Sequence, residues 1–204
     1  MKPYEFNRIK HLTFDLVNVY HSVNDKSTCE AVYTQVVSEI LLLTDLSVIQ
    51  DYVKKIKDTS LTTERAELLL TELKAVVEAF PLMSETQIKK TFKKVKKLKI
   101  IGTSVWDMRD LTYLSWNELA SQRKYILTAD GQGFYGTISG QLKNICAICQ
   151  KNSLVTQFLA TTKRGADGTY TKRGTYICLD ADKCNQQIES AQGLAQFLEI
   201  IKEK

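Results

Sequence analysis

Four of the chain's five cysteines fall in two pairs, Cys146-Ala147-Ile148-Cys149 and, after 28 intervening residues, Cys178 with Cys184. A C-x2-C turn sets two thiolates on one side of a tight knuckle, as tetrahedral zinc requires at about 2.3 Å per Zn–S bond. The second pair brings the donor count to four. A shell of four cysteines is closed, so it orders the chain around an ion and leaves no position open to a substrate. One structural Zn2+, held by Cys146, Cys149, Cys178 and Cys184, is therefore expected. A deaminase centre would need His-x-Glu ahead of Pro-Cys-x-x-Cys, and neither half is present. A redox pair at Cys146 and Cys149 would need a thioredoxin-like βαβ context, which is also missing. Cys29 lies alone in a helical stretch and reads as a small core residue.

Nothing else in the chain assembles a reaction centre. The only histidines, His11 and His21, lie ten residues apart in one helix-like stretch and read as surface or boundary residues. Asn117, Glu118 and Arg123 lack a nucleophile or a paired acid and base, so they read as a structural hydrogen-bond network beside a core tryptophan, Trp116. The expectation is a binding protein, with no catalytic residue and no small-molecule substrate.

The elements that must position the cysteines can be read from periodicity. Leu154–Thr161 and Thr169–Ile177 form hairpin-like sequence between the two pairs, and a helical pattern with Ile188, Leu194, Phe197 and Leu198 follows Cys184. Knuckle, hairpin and a ligand at a helix start make a treble-clef-like finger. Ahead of it, Arg123–Thr128 and Phe134–Ser139 flank a Gly-rich turn, Ala129-Asp130-Gly131-Gln132-Gly133. The first part of the chain is helical throughout. Apolar residues recur at helical spacing from about Tyr4 to Val23, and Ser27-Thr28-Cys29-Glu30 is a capping box opening a second helix. A third helix is expected near Leu46–Ile56 and a fourth near Thr62–Phe80. Short linkers between amphipathic helices favour an antiparallel four-helix bundle. The fold class is thus α+β: a helical bundle over residues 1–81, then an α/β zinc-binding domain over residues 82–204, with the boundary at Phe80-Pro81-Leu82-Met83.

Charge follows the same division. The 204 residues carry a net charge of +5, but residues 1–81 hold 9 basic and 12 acidic side chains and residues 82–204 hold 19 and 11. Ser84-Glu85-Thr86-Gln87 is a capping box for a helix running to about Leu98, and Lys89, Lys90, Lys93, Lys94, Lys96, Lys97 and Lys99 crowd that stretch. Such a domain faces an acidic partner, either nucleic acid or an acidic protein. The longest apolar run, Ile40-Leu41-Leu42-Leu43, is far too short to span a bilayer, and Met1-Lys2-Pro3-Tyr4-Glu5 turns polar too soon for a signal peptide. A cytoplasmic protein without membrane contact is expected.

The stretches Lys93–Lys99, Trp116-Asn117-Glu118-Leu119-Ala120-Ser121-Gln122-Arg123-Lys124-Tyr125, Tyr135-Gly136-Thr137-Ile138-Ser139, Cys146–Cys149 and Tyr176-Ile177-Cys178-Leu179-Asp180 occur in this order. Together they resemble the FusB-type fusidic-acid-resistance proteins, and the likeness spans essentially the whole chain. The resemblance implies a monomer that binds elongation factor G and promotes its release from ribosomes stalled by fusidic acid, without modifying the drug. It also implies partner contacts: Tyr176 is retained, Arg173 stands where the family has Lys, Phe197 aligns with an aromatic contact, and Ile145 stands where the family uses Phe. The competing expectation is a zinc-containing nucleic-acid module for ribosomal RNA.

Overall fold

In the computed structural model, which describes residues 1–93, 95, 98–100, 107–164 and 170–202, the chain forms two compact units, Met1–Glu78 and Ala79–Lys204. The architecture is α+β, with seven α-helices and one five-stranded antiparallel sheet among the described residues. No described helix is long and apolar enough to cross a membrane.

The first unit holds α1 (Pro3–Ser22), α2 (Lys26–Leu43), α3 (Ser47–Lys55) and α4 (Thr63–Lys74). Pro3 takes the first helical position, where its missing N–H is no loss, and the Glu5 carboxylate accepts from the Lys2 amide at 2.7 Å. The apolar stripes meet in one core in which Ile9, Leu16, Ile40, Ile49, Ile56 and Leu61 are wholly buried. Within it Thr13 Oγ1 shares a hydrogen bond with the Tyr52 hydroxyl at 2.6 Å.

Two ends differ from expectation. α2 starts at Lys26, because the Asp25 carboxylate takes the Thr28 amide and the hydroxyls of Thr28 and Ser27, leaving Ser27 a donor to the cap. α4 stops at Lys74 instead of reaching Phe80. Val76 and Val77 bond three residues back, tightening the last turn, and Glu78 then donates to the Met1 carbonyl.

The second unit opens with α5 (Glu85–Thr91) and continues through β1 (Tyr113–Glu118), β2 (Arg123–Thr128), β3 (Gly133–Ile145), β4 (Asn152–Arg164) and β5 (Tyr170–Cys178) to α6 (Ala181–Gln187) and α7 (Gln192–Ile201). The strands form a sequential meander, β1-β2-β3-β4-β5. β1, hidden in the Trp-Asn-Glu stretch, had no strand signal of its own. The helix expected to run to Leu98 is broken: Phe92 leaves α5 to stand edge-on against Trp116 and Tyr125, at 5.7 and 5.5 Å between ring centroids. The described lysines therefore do not share one helix. Only Lys89 and Lys90 lie on α5; Lys94, Lys96 and Lys97 are outside the described residues, as is the 165–169 part of the β4–β5 connection. On the far half of the sheet, α7 packs on β4 and β5 through Phe197 against Phe158.

Candidate metal centre

The four cysteines expected to bind one ion do come together. Cys146 and Cys149 flank the knuckle after β3, Cys178 ends β5 and Cys184 lies in α6. The backbone makes this arrangement local. Gln150 adopts a left-handed φ of 58°, so its amide turns back to the Cys146 carbonyl at 2.8 Å while the Cys146 amide reaches Lys151 O at 3.0 Å. Asp180 caps α6 by accepting from the amides of Asp182 and Lys183, which brings Cys184 inward half a helix from the strand end. The helical pattern after Cys184 is two helices, not one: α6 already contains the ligand and ends at Gln187, and α7 begins at Gln192.

All four sulfurs lie within 4.8 Å of one another, and all four side chains are buried. Cys146 Sγ is 3.8 Å from Cys184 Sγ, and Cys149 Sγ is 3.7 Å from Cys178 Sγ. These spacings rule out disulfides, whose sulfurs stand about 2.05 Å apart. They match the edge of a tetrahedron, about 3.8 Å for Zn–S bonds of about 2.3 Å. The donor set therefore fits a tetrahedrally held metal ion. Without a cation the four sulfurs cannot ionise together. Hydrogen bonds from Cys149, Cys178 and Cys184 drive Cys146 far below the ordinary thiol range, and its proximity drives Cys184 far above it. A bound cation removes that conflict, because thiolate ligands are deprotonated outright. Further donors point at the cluster: the amides of Ile148 and Cys178 both reach Cys146 Sγ, at 3.4 and 3.3 Å. Cys29 lies outside the cluster, donating to Val23 O.

A surrounding layer of polar side chains ties the cluster to β1 and β2. Asn185, next to Cys184, accepts the amides of Thr112 and Tyr113 at 2.8 and 3.2 Å and donates to Tyr113 O at 3.0 Å. Asn117 Nδ2 and Lys124 Nζ each donate to Leu179 O, the carbonyl after Cys178, at 3.0 Å. Lys124 and Asn185 did not stand out in the sequence. Their signal was weak: a lysine just ahead of the apolar run Tyr125-Ile126-Leu127, and an Asn beside a ligand. Of the residues read as a network, Asn117 belongs here, Glu118 accepts from Ser121 and Tyr125, and Arg123 lies over the Tyr135 ring.

The suggested partner contacts scatter. Ile145, just before the knuckle, is 64% exposed. Tyr176 is half-buried, and its carbonyl accepts from the Ala147 amide at 2.9 Å, joining β5 to the knuckle. Arg173 is exposed, but it pairs with Ala160 whereas Tyr176 pairs with Gln157. Side chains alternate along a strand, so these two leave opposite faces of β5. Phe197 is 0% exposed and stands edge-on to Phe158. It is a core residue of α7, so a single face presenting all four side chains does not exist.

A sequence profile for the elongation factor G-binding protein, N-terminal region, matches residues 1–81. Among solved structures, that of the fusidic acid resistance protein FusC is similar with a TM-score of 0.91 and 36% identity, over 99% of this chain and 97% of that one. No curated protein matches the chain in sequence.

Proposed function

Because the chain belongs to the FusB-type family of fusidic-acid-resistance proteins, of which FusC is a member, we propose that it binds elongation factor G and promotes its release from ribosomes stalled by fusidic acid. The observation that carries this reading is the end-to-end likeness to FusC, supported by the match of its first 81 residues to the elongation factor G-binding profile. The protein acts without catalysis, as a cytoplasmic monomer that meets the factor at the ribosome. Its first 81 residues work as an antiparallel four-helix bundle and residues 82–204 as the partner-binding domain. The ion at Cys146, Cys149, Cys178 and Cys184 is zinc, one per chain, holding a treble-clef-like finger rigid so that binding orders little.

Contact runs along the β5 edge and the knuckle. Tyr176 meets the factor on one side, Ile145 and Arg173 reach it from the other, and Phe197 supports β4 from beneath. Binding alone could trap the factor as readily as free it. Resistance therefore requires preference for a conformation of elongation factor G that the drug-locked ribosome disfavours. The decisive measurement is the rate at which elongation factor G leaves fusidic-acid-stalled ribosomes with the protein added: acceleration is expected, and a slower release overturns the proposal. A pull-down from nuclease-treated extract separates the ribosomal RNA alternative, which would leave elongation factor G behind.

A further inference from the structure

Among the described residues, Lys124 is the only charged side chain that the fold buries, at 0% exposure. Its ammonium donates to Asn117 Oδ1 and to Leu179 O, both at 3.0 Å and both neutral. No carboxylate of the described residues reaches it as an ion pair. Asp180 acts on it electrostatically but forms no ion pair with it, and its Oδ1 accepts the amides that cap α6. A cation withdrawn from water with only neutral partners is strongly unfavourable, and such charges are ordinarily paired.

The opposite surplus lies next door. A divalent ion with four thiolates leaves two negative charges in excess. Cys146, Cys149, Cys178 and Cys184 are all buried, and the two amide bonds to sulfur both go to Cys146. Lys124 is fastened to the carbonyl that follows Cys178, and Asn117 donates to the same carbonyl through its Nδ2. The two buried charges offset each other. We infer that Lys124 is the countercharge of the cysteine metal centre, an outer-sphere positioning group whose ammonium stabilises the bound tetrathiolate and whose burial depends on it. The inference rests on the metal reading above. The electrostatics act in the same sense: burial lowers Lys124 from the ordinary lysine value, to about 8 in all, while the cysteines, Cys184 first, and Asp180 oppose the fall.

The test is Lys124→Met in the full chain, with zinc affinity read by competition with a chromophoric chelator. Replacing a buried charge by an apolar side chain of similar volume is often neutral or stabilising when the charge is merely structural. A countercharge predicts the reverse, a loss of zinc affinity of about tenfold or more, the size usual for groups that support metal ligands. In the cobalt-substituted protein the sulfur-to-metal charge-transfer band should move to longer wavelength, because the sulfur lone pairs lose their neighbouring cation. Unchanged affinity and an unmoved band overturn the inference while leaving the metal reading intact; wild-type protein without stoichiometric zinc overturns both. Should Lys124→Met fail to fold, the side-chain nitrogen resonance of Lys124 in zinc-loaded wild type decides. At about pH 9, below the ordinary lysine value, an ammonium signal is expected and a neutral amine overturns the inference.

Discussion

At the start of α7, Gly193 lies so close to the knuckle that a Cβ placed on it would stand 2.2 Å from the carbonyl oxygen of Ile148. The obstructing atom is backbone, between the first two cysteines, so it cannot swing away as a side-chain tip would. Helix and metal site are thus packed directly on each other at the one residue type that permits it.

Gly193→Ala should therefore destabilise the protein although alanine is the better helix former. The helical gain is at most about 1 kcal/mol, whereas forcing packed elements apart commonly costs about 1–3 kcal/mol. A lower denaturation midpoint with faster zinc loss to chelator is expected. A midpoint equal to or above wild type would show that α7 yields freely.

Removing the metal should divide the molecule at its two units. Cys178→Ser or exhaustive chelation should dissolve the sheet's β4–β5 end with α6 and α7, which have the cluster at their junction. Met1–Glu78 has its own core, so much of the helical circular dichroism should survive. Metal analysis should return one zinc per wild-type chain. Loss of all helical signal on chelation would refute the independence of the first unit.

Alkaline stability of the helical unit should depend on Tyr52. Burial raises its hydroxyl from the ordinary 10.0 to about 12, with Thr13 opposing the rise. The neutral form is the one the fold accommodates. Its contribution is complete below the unfolded value near 10 and is lost as the pH rises toward 12. Tyr52→Phe removes one shared hydrogen bond, about 1 kcal/mol at neutral pH, and should flatten that decline. Denaturation midpoints of both proteins across the alkaline range provide the check; parallel curves would contradict it.

How much of this was legible in the sequence depended on how local the cause was. The cysteine cluster follows from spacing and side-chain chemistry, and the hairpin around Gly131 from a turn that needs the positive φ of 82° found there. The Ser84 capping box also forms, with Gln87 accepting from the Ser84 amide. What escaped was set by distant partners. Phe92 continues the helical spacing of Ile88, yet the aromatic cluster on β1 and β2 pulls it out and ends α5. Lys124 resembles any solvated strand lysine until Leu179, 55 residues away, is brought beneath its ammonium. Arg173 and Tyr176 are close in sequence, which suggests one surface, whereas the period of a strand sends them apart. Phe197 fits a contact residue and a core residue equally well by type, and only burial separates the two.

The β5 edge and the knuckle can be tested as the site for elongation factor G by contrasting Tyr176 with Phe197. Tyr176→Ala removes a half-exposed ring whose backbone, not its side chain, holds the knuckle. Zinc content and melting temperature should stay near wild type. Binding should weaken by at least about 2 kcal/mol, roughly thirtyfold, as for other aromatic interface anchors. Phe197→Ala instead empties a core position and should lose about 3–5 kcal/mol of folding stability, with binding falling only as the folded fraction falls. Arg173→Ala should act mainly on association rate and matter less at high salt, as an exposed charge facing an acidic partner does. Lys54, exposed on α3 and paired with Asp51 at 3.2 Å, should be nearly indifferent to alanine. Titration calorimetry with purified elongation factor G, run beside thermal melts, distinguishes these effects. Wild-type affinity in a folded Tyr176→Ala protein would exclude this edge and move the interface elsewhere on the molecule.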